Sequence, residues 1–197
     1  MTLRPVLTGA VAAGLLAAAV GPAIADEDPG AEPAQRSSEA YWSVTMHGGA
    51  LVPLLAMNDT HQISLVAGAR VGWTSRIGLG LELSGTYAPL SRRPTDEVTA
   101  ETHYGTLTFG PRYTLGHGLV RGTIAVGGGM AGERTRLIQG DVALTTTTFT
   151  PVAEGRLGLE LHVIDGGGLT FGASYTQTFD DEPYRYASVG GGLMLTF

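Results

Sequence analysis

From Tyr41 onward the chain alternates apolar and polar residues, segment after segment, with turn-rich text between the segments. A two-residue period marks strands with one apolar face, and no stretch carries the 3.6-residue period of an amphipathic helix. The alternation predicts eight strands, at 41–52, 62–74, 77–88, 103–115, 119–132, 147–164, 169–179 and 184–197. The connections alternate too. Ser75-Arg76, Gly116-His117-Gly118 and Asp165-Gly166-Gly167-Gly168 are tight, whereas 53–61, 89–102, 133–146 and 180–183 are mostly longer and more polar.

Parity within the strands separates two faces. The second strand sets Ile63, Leu65, Ala67, Ala69, Val71 and Trp73 against Ser64, Val66, Gly68, Arg70, Gly72 and Thr74. The third sets Ile77, Leu79, Leu81, Leu83, Gly85 and Tyr87 against Gly78, Gly80, Glu82, Ser84 and Thr86, and the sixth and seventh repeat the pattern. Within the strand cores every charge falls on the second face. Gln177 is the one polar side chain on the apolar face of the seventh strand. Aromatic residues gather near strand ends, with Trp42, Trp73, Tyr113, Phe171 and Phe197 at one end and Tyr87, Phe149 and Phe179 at the other. One residue breaks the pattern: Pro111 cannot donate to a ladder, so a bulge or the end of the fourth strand is expected there.

The first 39 residues are different in kind. Arg4, an apolar stretch from Val6 to Val20 and the Ala23-Ile24-Ala25 ending have the form of a secretory signal, with cleavage expected after Ala25. Residues 26–39 are polar, acidic and broken by Pro, which predicts a disordered leader. Residues 40–197 are then the size of one domain. No segment offers the roughly 18 unbroken apolar residues of a transmembrane helix. A membrane could therefore be crossed only by strands closed into a barrel.

Composition removes several functions. The chain has 197 residues, no cysteine and a formal net charge of −6, and all its basic residues are Arg. No disulfide framework or thiolate metal site is available, and no basic run exists to neutralise the phosphates of a nucleic acid.

The last residues, Tyr186-Ala187-Ser188-Val189-Gly190-Gly191-Gly192-Leu193-Met194-Leu195-Thr196-Phe197, alternate up to a terminal aromatic. This ending resembles the C-terminal assembly signal of bacterial outer-membrane proteins, with Leu193, Leu195 and Phe197 in the signal positions. With the strand count and the short and long connections, the stretch from Tyr41 resembles the small OmpA/OmpX-type outer-membrane barrels. The resemblance implies an all-β fold, an eight-stranded antiparallel up-and-down transmembrane β-barrel, monomeric and integral to the outer membrane of a Gram-negative-type cell. Both termini would face the periplasm. Expected partners are outer-membrane lipid, lipopolysaccharide and the barrel-assembly machinery. No cofactor is implied.

Candidate chemistry follows from the inward face. Arg70, Glu82, Arg112, Arg121, Glu154, Arg156 and Glu160 form a candidate charge network, because buried charges must pair and a barrel of eight strands is just filled by side chains. Inward glycines such as Gly127, Gly129, Gly190 and Gly192 are expected to make room for long Arg side chains. His47 and His162 are predicted inward, with Glu160 and His162 sharing a face; His61 and His103 fall at loop edges and His117 in a turn. The histidines lack metal-ligand spacing. No His is followed by Ser, so the His-Ser pair needed by the outer-membrane lipid A deacylases finds no match. In the loops, Arg92, Arg93, Arg134 and Arg136 are candidate contacts for lipopolysaccharide phosphates, while Asp180-Asp181-Glu182 is a weak candidate for Ca²⁺. A non-enzymatic envelope or surface-interaction role is expected. The alternatives are a narrow solute channel, a lipid-modifying enzyme, and a soluble lipocalin-like binder with the two faces exchanged.

Overall fold

The computed structural model of the protein describes residues 40–91, 99–116, 118–139, 142–181 and 183–197. The signal sequence, the acidic leader, Arg92, Arg93, His117 and Glu182 lie outside the described residues. Eight strands run in chain order as β1 Tyr41–Pro53, β2 Ser64–Thr74, β3 Leu79–Ser91, β4 Thr99–Leu115, β5 Val120–Gln139, β6 Val142–Ile164, β7 Gly167–Thr178 and β8 Arg185–Thr196. Each pairs antiparallel with its sequence neighbour, and β1 pairs with β8 from Ser43↔Thr196 to Pro53↔Tyr186. The sheet is therefore a closed barrel without a free edge.

One end of the barrel carries the three tight turns and both strand termini. Glycine makes these turns possible: Gly78, Gly116, Gly118 and Gly166 all have positive φ, which a side chain would strain. In the first turn Gly78 N donates to Ser75 O at 3.0 Å, and Ser75 N donates to Leu79 O at 2.7 Å. The opposite end carries the longer connections. Two of these depart from the sequence expectation. Residues 53–61 contain a short helix, α1 Ala56–Thr60, entered through Leu55 at φ 54. Residues 133–139 and 142–146 continue β5 and β6 as paired strand in place of a loop, with pairing sustained to Gln139↔Val142. The run Thr145-Thr146-Thr147-Thr148 looks like loop by polarity, yet Thr is β-branched and suits a strand whose faces are both wet.

Pro111 lies well inside β4, where neither a bulge nor a strand end occurs. It pairs with Leu81, and the β4–β5 register is the same on both sides of it, from Phe109↔Gly128 to Arg112↔Ala125. The ladder interruption is local, and the register shift falls instead between His162 and Ile164 on β6.

The two faces are resolved by burial. Leu65, Leu193, Leu195, Phe109, Phe149 and Phe197 point outward and are exposed, whereas Glu82, Arg112, Glu154 and Glu160 point inward and are buried. A soluble barrel would have the reverse arrangement, so the lipocalin-like alternative is removed. The inward glycines do not serve the expected purpose. A Cβ on Gly129, Gly190 or Gly192 would collide with the backbone of the adjacent strand, while one on Gly127 would make only ordinary contact with Phe109 and Thr108. The first three glycines permit close strand approach on the concave side. Gly72 is the position that makes room for an arginine, since its Cβ would lie 2.8 Å from Arg112 Nη1.

Candidate functional site: the barrel interior

The interior is built in three layers, each from residues of like parity on different strands. At the middle, Arg112 of β4 reaches Glu82 of β3 (Nη1 to Oε2, 3.4 Å) and Glu160 of β6 (Nη2 to Oε1, 2.5 Å). Arg156 of β6 pairs with Glu82 and lies 3.6 Å from Glu154. Hydroxyls complete the network: Arg112 Nη1 donates to Ser43 Oγ at 3.2 Å, Arg156 Nη1 donates to Ser84 Oγ at 3.2 Å, and Thr108 Oγ1 donates to Glu154 Oε2 at 2.9 Å. Each carboxylate faces a guanidinium, which offsets the desolvation that an isolated buried charge would suffer.

Two residues of the candidate network stand outside these ion pairs. Arg70 donates from Nε to His47 Nδ1 at 3.3 Å, so its near contact is an imidazole. Arg121 lies over the Tyr41 ring, its Cζ 5.2 Å from the centroid. His162 Nε2 is 3.7 Å from Glu160 Oε2, an ion-pair distance without a hydrogen bond, and Tyr41 meets the His162 ring edge-on. Tyr41, Thr74, Thr114, Arg121 and His162 form the layer at the turn end.

The layer at the loop end is apolar, which the sequence reading missed. Leu51, Val66, Ala88, Leu90, Tyr104, Ala131, Val152 and Tyr186 form one buried cluster, and Met57 of α1 joins it. Tyr104 meets Tyr186 edge-on at 5.7 Å and Tyr184 at 6.0 Å. His61, 2% exposed, ends α1 beside Tyr184, its Nδ1 2.7 Å from Thr60 Oγ1. The available signal was parity alone: Leu51, Val66, Ala88 and Leu90 share the inward phase of their strands with polar residues.

Between the middle and loop-end layers a cavity of about 30 Å³ touches His47, Arg70, Glu154 and Arg156. That is room for one or two waters, not a conduit. Among the described residues no group of three His, Cys, Asp or Glu is placed to hold a metal ion.

The candidate surface contacts divide. Arg134 and Arg136 lie on β5, exposed and facing outward, and not in a loop. His103 is opposite Arg134 in the β4–β5 register, and its Nδ1 is 2.6 Å from Tyr87 Oη. At the strand seam, Trp42 N donates to Phe197 O at 2.8 Å and Phe197 N to Trp42 O at 3.1 Å, so the final aromatic is tied to the first strand. Asp180 and Asp181 are exposed, and Thr178 Oγ1 donates to Asp180 Oδ1 at 3.1 Å.

No family model matches the chain, and no curated protein matches it in sequence. Solved structures do. Ail, the attachment invasion locus protein of Yersinia pestis, has a TM-score of 0.55 at 12% identity, covering 81% of this chain and 99% of Ail. Neisserial surface protein A gives 0.59 at 11%, over 80% and 97%. A major outer membrane protein of Thermus thermophilus gives 0.56 at 11%, over 80% and 99%. At such identity the likeness is one of fold: an eight-stranded barrel of the small outer-membrane kind.

Proposed function

We propose that the chain is an integral outer-membrane barrel, monomeric and non-enzymatic, whose interior is closed and whose work is structural or done at its surface. The observation that carries this reading is the inverted distribution of polarity. A wall of exposed Leu, Val, Ile and Phe surrounds paired charges that are almost wholly withdrawn from solvent. Such a wall is stable in hydrocarbon and insoluble in water. Aromatic residues at both ends, Trp42, Tyr113 and Phe171 near the turns and Tyr87, Phe149 and Phe179 near the loops, suit the two interfaces. The fold neighbours, outer-membrane proteins among them, support the same location.

Closure is supported by two obstructions in series, the ion-paired middle and the apolar cluster beneath α1. Its surface role is supported by Arg134, Arg136 and His103, which place donors for lipopolysaccharide phosphates on the outer wall. Arg92 and Arg93, outside the described residues, are further candidates for this set.

The test is gel mobility of protein from a washed outer-membrane fraction, boiled against unboiled, followed by planar-bilayer recording. A heat-dependent shift without steady conductance is expected. Recovery from the soluble periplasm without a shift would overturn the location, and steady conductance would overturn the closed interior.

A further inference from the structure

Closure removes the edges of the barrel wall, but one hairpin outgrows the wall. β6 pairs with β7 only as far as Val152↔Thr178, with one further bond from Phe179 N to Pro151 O at 2.9 Å. With β5 it stays paired to Gln139↔Val142. Over 142–150 the side of β6 turned away from β5 therefore has no strand beside it among the described residues. The groups left open there can be named. In an antiparallel ladder the N–H and C=O of one residue point to the same side, and the side alternates along the strand. Pro151 O is turned toward β7, and the β5–β6 register runs unshifted from Pro151 to Val142. The N–H and C=O of Phe149, Thr147 and Thr145 hence point to the open side. Residues 144–149 are all exposed, and none of them is charged.

Native edges are blunted by charge, proline or a bulge, because an open row of backbone groups is a template for another strand. The opposite edge of this extension is blunted. β3 outruns its pairing with β2, which ends at Ala67↔Tyr87, and its odd-numbered residues face β2, as the bond from Ser75 N to Leu79 O shows. Pro89 stands in that phase and has no N–H to offer. We propose that the open edge of β6 takes up an extended segment of another protein as a further antiparallel strand, with carboxylates on its outward side chains. The inference rests on the surface role proposed above. Backbone groups at two-residue intervals specify an extended polypeptide, and the neighbouring charge specifies its side chains. Arg136, exposed on the outer face of β5, lies opposite Thr145, whose short side chain leaves the way to the added strand clear. Glu101 is opposite Arg136 on the far side, in β4, and makes no ion pair with it among the described residues. Arg136 thus meets a carboxylate across one strand, the backbones of β5 and the added strand being roughly 10 Å apart.

Protein folded in detergent micelles is titrated into a short, end-blocked peptide of alternating Thr and Glu, and binding is read from the anisotropy of a dye on the peptide. In antiparallel pairing the peptide residues bonded to β6 are those with outward side chains, here the Glu positions. Saturable binding is expected, abolished by N-methylation at the Glu positions and kept with N-methylation at the Thr positions. Thr147→Pro takes one N–H from the open side and none from the β5–β6 ladder, so it should weaken binding at least about tenfold with the heat-dependent gel shift unchanged. Arg136→Gln should weaken it about threefold, as for an exposed ion pair. The N-methylated peptides leave the protein untouched and decide the matter if Thr147→Pro disturbs the hairpin. No saturable binding, or binding indifferent to the position of the N-methyl groups, would overturn the proposal. So would a chain dimer that Thr147→Pro dissolves, since the edge would then belong to a second copy. The gel shift of the wild type reports the membrane barrel separately, so a failure of that reading is distinguishable from a failure of this one.

Discussion

Arg112 on β4 and Glu160 on β6 meet across the intervening β5, Nη2 to Oε1, 2.5 Å apart, while the other nitrogen of the same guanidinium faces Glu82 on β3 at 3.4 Å. Glu82 in turn serves Arg156 with its second oxygen. One carboxylate therefore contacts two guanidiniums and ties three strands together. Glu82→Ala leaves Arg112 with Glu160 alone and Arg156 with the more distant Glu154 alone, and removing one partner of a buried pair costs about 3–5 kcal/mol. Asp59→Ala, at an exposed position of α1, is expected to stay within about 0.5 kcal/mol. Denaturant midpoints of the two variants in the same detergent give the comparison, and equal shifts would refute the network.

The space for Arg112 comes from a missing side chain. A Cβ on Gly72 would sit 2.8 Å from Arg112 Nη1 and 3.0 Å from Ser43 Oγ. Gly72→Ala must push the guanidinium off Ser43, and overpacking of this kind costs about 1–3 kcal/mol. Because the clash is with one named group, Arg112→Met in the same chain should relieve part of the cost. A double-mutant cycle with no coupling would place the strain elsewhere.

On the outer wall the cost of a charge depends on depth. Leu83 is exposed near the middle of β3, and Leu79 lies beside the turn. Leu83→Arg in bilayers is expected to cost about 2–4 kcal/mol, and Leu79→Arg about 0–1. Refolding equilibria in lipid vesicles test the order. Equal costs would mean that the two positions do not differ in depth.

Fold and interior were unequally legible in the chain. Parity separated the two faces of β2, β3, β6, β7 and β8 because inward charges such as Glu82 and Glu160 have apolar neighbours on both sides. The strand ends were less legible, since Thr145 to Thr148 is polar in both phases and carries no periodic signal for a hairpin standing clear of the wall. α1 was missed because five residues cannot display a helical period. The charge partners were beyond reach for a different reason. Glu82 and Arg156 are 74 positions apart and meet only through the curvature of the closed sheet, whereas Arg70 faces His47 diagonally across the β1–β2 register. The apolar loop-end layer was hidden because inward Leu51 and Leu90 look, in one dimension, like lapses in a polar face.

The outer-wall cluster at Tyr87, His103 and Arg134 has a position that can be reckoned from the strand. Tyr113 belongs to the aromatic set at the turn end, and His103 lies ten residues further along β4. Ten residues span roughly 33 Å of strand. At a tilt of about 40° this is about 25 Å along the axis, the height of the apolar band in barrels of this kind. In the outer membrane proposed above, His103 and Arg134 would then emerge at the level of the outer-leaflet headgroups, with Arg136 one step further out. Among the described residues Arg134 has no ion-pair or hydrogen-bond partner, so a lipid phosphate would compete with none of them. Vesicles of phosphatidylcholine containing lipid A should raise the denaturant midpoint over pure phosphatidylcholine, and Arg134→Gln should lose about half of that increment, as expected if two guanidiniums share the contact. Dephosphorylated lipid A should give no increment. An equal increment with and without the phosphates would mean that the acyl chains, and not Arg134, make the difference.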